Sequence, residues 1–308
     1  MQRVLVTGGA GYLGSLLTYE LLSMGYHVTI FDRLTWGVNS ILPMVSNKNL
    51  EVVKADVRDA EKVSNFIAKN DITVNLAAIV GYPACDANPW EAMSVNVDSV
   101  RSMVSELSTD QLFIQASTGS SYGKVSEICT EETPINPLTL YGRTKSEAEK
   151  VTLEKSAISL RFATVYGISP RMRLDLFIND LVNFTLKQGF YVMYEANASR
   201  TFLHAKDAVA SILFAVTHSQ EMKGQVFNVG DAAQNYTKLQ VATLLQEKVE
   251  FLLHLAEVGS DRDQRDYDVS YEKISALGYE AQHSLDSGLE ELVKLFKVME
   301  ENSVYRNV

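Results

Sequence analysis

The stretch Thr7-Gly8-Gly9-Ala10-Gly11-Tyr12-Leu13-Gly14 follows an apolar run, Arg3–Thr7, and opens a helical pattern, Tyr12–Met24. Its reading decides the fold. Glycines between a strand and a helix let the backbone turn sharply and approach a pyrophosphate, and the helix N-terminus offers free N–H donors and a positive dipole end. A glycine triplet alone is weak. Here the strand-turn-helix setting supports it, as does Asp32, which ends the second strand 18 residues beyond Gly14. An acid there accepts hydrogen bonds from both adenosine ribose hydroxyls and repels a 2′-phosphate, so a dinucleotide is expected, NAD rather than NADP. Gly8, Gly11, Tyr12, Leu13 and Asp32 are its candidate ligands. Arg33 could instead pair with a 2′-phosphate or stand as a solvated charge. Asp56, after the third strand, reads as an adenine contact or as a turn cap.

Outward from this loop, β-rich runs alternate with helical patterns. Strands are expected at Arg3–Thr7, His27–Phe31, Glu51–Lys54, Thr73–Leu76, Leu112–Gln115 and Ile158–Phe162. Helices are expected at Tyr12–Met24, Ala60–Lys69, Pro89–Leu107 and Leu140–Lys155. Such alternation in register implies a Rossmann-like, doubly wound parallel sheet. Beyond Tyr166 the rhythm changes. Helices are expected at Leu174–Lys187, Ala205–Val216, Thr237–Lys248 and Ser287–Met299, with short strands around Tyr191–Tyr194, Thr201–Leu203 and Val226–Val229. We therefore expect a nucleotide-binding domain over 1–166 and a smaller, interleaved α/β substrate domain over 167–308, some segments of which return to the first.

The 308 residues carry 38 acidic and 28 basic side chains, a net charge of −10 that opposes nucleic acid or an anionic membrane as partner. At 46% hydrophobic and 21% charged the composition is that of a globular protein, and no apolar stretch is long enough to span a bilayer. The first residues run straight into the glycine loop and leave no room for a signal peptide, so a cytoplasmic location is expected. The two cysteines, Cys85 and Cys129, have no metal-ligand spacing and read as reduced thiols; no metal is expected.

Tyr141-Gly142-Arg143-Thr144-Lys145 carries the chemistry. Residues four apart share a helix face, so phenol and ammonium lie side by side. A free phenol has a pKa of about 10, and an adjacent ammonium, with an oxidised nicotinamide nearby, lowers it. The phenolate can then take the proton of a substrate hydroxyl while its carbon gives hydride to the cofactor. Upstream, Leu112–Gln115 leads into Ala116-Ser117-Thr118-Gly119-Ser120-Ser121-Tyr122-Gly123, a hydroxyl-rich loop that can orient the substrate oxygen.

Together these motifs resemble the extended short-chain dehydrogenase/reductase family of nucleotide-sugar epimerases, dehydratases and reductases. The likeness continues through Leu160-Arg161-Phe162, Val165-Tyr166-Gly167 and Arg200-Thr201-Phe202-Leu203-His204-Ala205-Lys206-Asp207, and spans essentially the whole chain in family order. It implies a nucleotide-sugar substrate and a homodimer. Thr118 becomes the catalytic hydroxyl, Tyr141 the base, and Lys145 its partner and a nicotinamide-ribose ligand. Val57 and the pair Ala77-Ala78 join the cofactor's surroundings, and Asn96 matches an asparagine that positions helix and water. Arg200, and one of Arg262 and Arg265, match arginines that contact the substrate diphosphate. For all three, a surface ion pair is the alternative.

Departures from the family pattern count too. Dehydratases carry Asp-Glu directly after the catalytic threonine; here stand Gly119 and Ser120, which disfavours dehydration. Asn75 replaces a common histidine, and Thr164 replaces an asparagine frequent in UDP-sugar epimerases, which weakens a UDP substrate. The runs 77–85, 169–176 and 264–270 resemble the GDP-manno-heptose 4-dehydrogenases of capsule biosynthesis. That resemblance implies oxidation at C4 of a GDP-linked sugar, and makes Arg171 and Arg173 candidates for base or phosphate contact, unless they are helix-start surface charges. A 4-epimerase would use the same residues. A redox sensor or scaffold that binds dinucleotide without turnover usually lacks the tyrosine or lysine, and both are present.

Overall fold

The computed structural model describes residues 2–256, 268–300 and 305–307. Six strands build the first half: β1 (Arg3–Thr7), β2 (His27–Asp32), β3 (Leu50–Lys54), β4 (Ile72–Asn75), β5 (Leu112–Thr118) and β6 (Ile158–Phe162). Between them run α1 (Tyr12–Ser23), α2 (Ala60–Ile67), α3 (Tyr82–Ala87), α4 (Pro89–Met93), α5 (Ser99–Ser105) and α6 (Leu140–Leu153). The second half holds β7 (Thr164–Tyr166), α7 (Phe177–Gln188), β8 (Phe190–Met193), β9 (Ser199–His204), α8 (Ala205–Thr217), α9 (Ser219–Met222), β10 (Val226–Val229), β11 (Asn235–Thr237), α10 (Lys238–Gln246), β12 (Leu252–Leu255), α11 (Glu272–Ser275) and α12 (Leu285–Phe296).

The main sheet runs β10-β6-β5-β4-β1-β2-β3, every pair parallel. This is the Rossmann-type, doubly wound sheet. Strand side chains alternate between faces, and β1 shows how both faces are buried. Val4 and Val6 join the cluster with Leu17 and Leu21 of α1 and Ile212 of α8. Leu5 joins Val63 and Ile67 of α2, Met103 of α5 and Ala148 of α6 on the other side. All three β1 side chains are fully buried, and each contributes about 1.5–3 kcal/mol of burial. Strand order reverses between β2 and β4 on either side of β1, and ligands of such sheets bind at that switch point, beyond the carboxyl ends of the strands. A third cluster, with Tyr166, Leu181, Phe202, Leu245 and Leu289, packs α7, α10 and α12 beside the small sheet β11-β9-β7.

Two expected helices differ in shape. The pattern from Pro89 to Leu107 forms α4, a π-helical turn over Ser94–Asp98, and α5, because Asn96 is drawn out to a distant backbone. The helix expected from Leu174 begins at Phe177. Residues 173–175 form a turn ahead of it, held by Asn179 Nδ2 donating to the Arg173 carbonyl (2.9 Å) and the Leu174 N–H to the Tyr305 carbonyl (2.7 Å). The short α3, β7, α9, β11, β12 and α11 have no counterpart in the sequence reading.

Candidate active site

The turn after β1 is as tight as its glycines permit. Gly8 has φ +71°, and a Cβ on Gly14 would stand 2.1 Å from the Gly8 carbonyl oxygen. A Cβ on Gly8 would meet the Ala77 nitrogen at 2.8 Å, so the loop lies directly on the backbone after β4. The cap residue Gly11 has no side chain to satisfy the first turn of α1, which leaves Tyr12 and Leu13 presenting N–H groups suited to an anion. The Tyr12 phenol itself is buried and donates to the Gly167 carbonyl at 2.7 Å, so its side chain is structural.

Asp32 accepts from the Ala10 N–H (3.1 Å) and the Leu34 N–H (2.7 Å), tying the glycine loop to the chain after β2. Burial lifts its carboxyl above the usual range, opposed by these two hydrogen bonds and by the charges of Arg33 and Arg171. Arg33 is engaged with Glu91 (2.6 Å) and reaches Asp56 (3.6 Å). Asp56 is gripped by Arg58 (2.6 and 3.0 Å), which holds its carboxyl below the usual range. Val57 is buried in the cluster with Phe31, and Ala77 and Ala78 are half-buried beside the glycine loop. A polar ladder crosses the floor of the site: the Thr7 hydroxyl donates to Asn75, and Asn75 Nδ2 to Gln115 (2.8 Å).

Thr118 ends β5, and its Oγ1 accepts from the Ser120 N–H at 3.2 Å and donates to the Ser120 hydroxyl at 3.1 Å. Helix α6 is started by the Thr139 hydroxyl, which accepts from the Gly142 N–H (3.1 Å). Its first turn presses on the Thr118 loop, for a Cβ on Gly142 would lie 3.0 Å from the Ser120 carbonyl oxygen. Ser146 Oγ donates to Ser121 Oγ at 2.9 Å. Tyr141 is half-buried at the open end of this turn; Lys145 is only 3% exposed. Burial lowers the Lys145 ammonium to about 8, partly opposed by Cys85 and Glu149.

Several supports lie far apart in sequence. Asn96 Nδ2 donates to Thr144 Oγ1 (3.0 Å) and to the Ile79 carbonyl (2.9 Å), and its Oδ1 accepts from the Ile79 N–H (2.8 Å). Thr144 Oγ1 in turn donates to the Tyr141 carbonyl (3.0 Å), so Asn96 pins the catalytic turn to the chain after β4. One turn beyond Lys145, Glu149 accepts from Arg161 at 2.6–3.1 Å, and Arg161 donates to the Tyr122 hydroxyl at 2.8 Å. Tyr122 then donates to Asn228 Oδ1 (2.7 Å). Glu149, Tyr122 and Asn228 went unassigned from sequence; only Glu149 had a signal, its i+4 spacing from Lys145. Cys85, whose thiol is pushed up to about 11 by burial, donates to the Ile79 carbonyl at 3.4 Å. Asp207 takes the His283 N–H (2.9 Å) and ring (2.8 Å), a fastening between the first turn of α8 and the chain before α12.

Of the candidate substrate arginines, Arg171, Arg173 and Arg200 are each almost fully buried. Arg200 is buried on β9 and donates to the Ser199 carbonyl (2.9 Å). Arg173 forms a forked pair with Asp175. Arg171 stacks on Trp36, 4.5 Å from its ring centre, at the Asp32 end of the site. Arg262 and Arg265 lie outside the described residues. Among the described residues no group of three or more His, Cys, Asp or Glu could hold a metal, and no helix is long and apolar enough to cross a membrane.

A model of the NAD dependent epimerase/dehydratase family matches residues 4–230, and the chain belongs to that family. It is 28% identical over 265 residues to an uncharacterized UDP-glucose epimerase, YtcB, of Bacillus subtilis, covering 80% of this chain and 81% of that one. It is 25% identical over 321 residues to a putative UDP-glucose 4-epimerase of Methanocaldococcus jannaschii, covering 96% and 98%. In fold it is similar to UDP-glucuronic acid 4-epimerase from Bacillus cereus, crystallised with UDP-glucuronic acid and NAD, with a TM-score of 0.86, 23% identity, and coverage of 96% and 99%.

Proposed function

From membership in that family, we propose that the chain is an NAD-dependent oxidoreductase acting at C4 of a nucleoside-diphosphate sugar. The observation that carries this is the packing of the Tyr141–Lys145 turn against the Thr118 loop, at the carboxyl edge of the sheet that bears the glycine loop. The cradle fits NAD: Gly8 and Gly14 let the turn close without backbone clashes, the α1 N-terminus has no side-chain cap, and Asp32 stands beside it. Gly8, Gly11, Tyr12, Leu13, Asp32, Val57, Ala77 and Ala78 would hold the dinucleotide. Asp56 would act there through Arg58 and Arg33, which already engage its carboxylate. When bound, NAD supplies the acceptor for the hydrogen removed from the sugar carbon.

The chain's own part is a proton relay. Thr118 orients the C4 hydroxyl. Tyr141 accepts its proton, because the Lys145 charge, poorly hydrated in its buried setting, stabilises phenolate more than a surface lysine would. Asn96 keeps this turn in register. Arg200, with Arg262 or Arg265, would bind the diphosphate, and residues 1–166 would form the cofactor domain.

For the end point we favour a 4-dehydrogenase that releases the keto sugar, with a GDP-linked heptose or hexose as substrate. The runs 77–85 and 169–176 and the absence of an acid pair after Thr118 support it. A 4-epimerase is the second reading, favoured by the two relatives named UDP-glucose epimerases. We place the protein in the cytoplasm as a homodimer. Incubation with NAD and a panel of GDP-, UDP- and dTDP-sugars tests the assignment. Reduced nicotinamide accumulating with one sugar supports the dehydrogenase; a C4 epimer appearing without it supports the epimerase. If no sugar is changed, the catalytic assignment fails.

A further inference from the structure

We propose that Arg171 is a cofactor-binding residue, the cation that meets the dinucleotide pyrophosphate, with the Trp36 ring as its movable cover. This rests on the NAD reading above and moves Arg171 from the substrate to the cofactor.

Three observations carry it. Arg171 is 4% exposed, and among the described residues no carboxylate lies within ion-pair distance of it. Its Nη2 donates to the neutral Asn307 Oδ1 (2.7 Å), and its Nε is buried with no hydrogen-bond partner. A guanidinium taken out of water without a counter-charge is unfavourable, and an anion placed beside it gains a charge-assisted, forked contact. Arg173, by contrast, already has Asp175.

The position of Arg171 selects the anion. Its N–H donates to Ser169 Oγ (3.3 Å), and that hydroxyl donates to the Tyr12 carbonyl (2.6 Å), at the first residue of the uncapped helix α1. Trp36, which covers the guanidinium, rides on a strap folded over the glycine loop. The Leu34 N–H is held by Asp32, the Gly37 N–H by the Leu34 carbonyl (3.1 Å), and Ser40 Oγ donates to the Ala10 carbonyl (2.8 Å). Leu34 adopts φ +57°, a conformation that a side-chain-bearing residue keeps only when its surroundings impose it. A cation with no carboxylate in ion-pair contact among the described residues, under this strap and next to backbone shaped for a pyrophosphate, is placed to neutralise one. Burial, with the neighbouring Arg173 charge, lowers the Arg171 guanidinium to about 10, partly opposed by the more distant Asp175 and Asp32 carboxylates.

The test is titration of NAD, ADP-ribose and UDP-glucose into wild type and Arg171→Met, by calorimetry. Trp36 emission is followed in a Trp90→Phe background, which leaves Trp36 as the sole tryptophan of the two. We expect NAD and ADP-ribose to bind Arg171→Met about ten- to hundredfold more weakly, with UDP-glucose little changed. Trp36 emission should shift when ADP-ribose binds. Arg171→Lys keeps the charge under the ring and should retain part of the affinity should the methionine variant fail to fold. Asn307→Ala, which leaves the guanidinium in place, should bind NAD nearly as wild type. Unchanged NAD affinity in Arg171→Met, a loss confined to UDP-glucose, or an equal loss in Asn307→Ala overturns the inference alone. Wild type that binds neither NAD nor ADP-ribose removes the cofactor reading and the inference with it.

Discussion

Tyr141 and Lys145 stand one turn apart on α6 in different surroundings, the phenol half-buried and the ammonium almost sealed. Tyr141→Phe removes only the proton-accepting oxygen, so turnover should fall at least about a hundredfold while NAD affinity by calorimetry stays near wild type. Turnover close to wild type would show that another group is the base. Lys145 should carry a stability cost. Its folded pKa, about 8, lies below the unfolded value near 10.4, so the folded chain binds this proton less readily than the unfolded one. The penalty is therefore full below pH 8, shrinks between about 8 and 10.4, and vanishes above. Lys145→Met should stabilise the fold at pH 7 by up to about 3 kcal/mol, seen as a raised Tm, while abolishing turnover, and the gain should disappear near pH 10.5. A Tm gain that does not vary with pH would place its origin in packing. At the cofactor end, Asp32→Ala should narrow the preference for NAD over NADP, read as the ratio of the two dissociation constants. Equal or tighter NADP binding by wild type would turn attention to Arg33. These residues were legible in the sequence because each works through a spacing of a few positions, strand to turn or turn to turn. Arg161, Tyr122 and Asn228 were opaque as a set, since their hydrogen bonds join β6, the loop after β5 and β10.

Long periodic elements could be read from the sequence, and short ones could not. The six strands of the first half lie within three residues of expectation, and β1, β2, β4, β5 and β6 are buried along both faces, which leaves an unbroken apolar run. Helix α3 has six residues and β12 four, too few to show a period. The interruption between α4 and α5 is of another kind. Its local sequence, Ser94-Val95-Asn96-Val97-Asp98, is compatible with a plain helix, and the π turn comes from the grip of Asn96 on Ile79. Asn96→Leu keeps the branching at Cγ but loses all three hydrogen bonds, leaving the half-buried Ile79 N–H unpaired and its carbonyl with only the Cys85 thiol. A loss of about 1–3 kcal/mol in stability is expected. Because the Thr144 contact goes too, kcat should fall more than KM rises, measured in the same preparation. A stability loss with unchanged kcat would confine Asn96 to a structural role.

At the scale of the molecule, the proposed reading has the substrate span from the Tyr141 turn to the β11-β9-β7 sheet that carries Arg200. If Arg200 binds the diphosphate, its contact is remote from the reacting carbon and serves binding and orientation. Arg200→Ala should raise KM about ten- to hundredfold with NAD affinity little altered. An unchanged KM for the true substrate would show that the smaller sheet has been assigned the wrong task. The sequence marked a change of rhythm after Tyr166, but no periodicity could announce that Val226–Val229 lies against β6. Pairing partners 67 residues apart leave no local trace. That strand has a consequence for biosynthesis. A ribosome releasing this chain has made six of the seven main strands long before residue 226 emerges. Until then β6 ends the sheet with a row of unpaired amides, and Tyr122 lacks Asn228 as its acceptor. The nascent dinucleotide-binding half must wait, open-edged and prone to pair with a neighbouring chain, for a segment encoded beyond much of the second half.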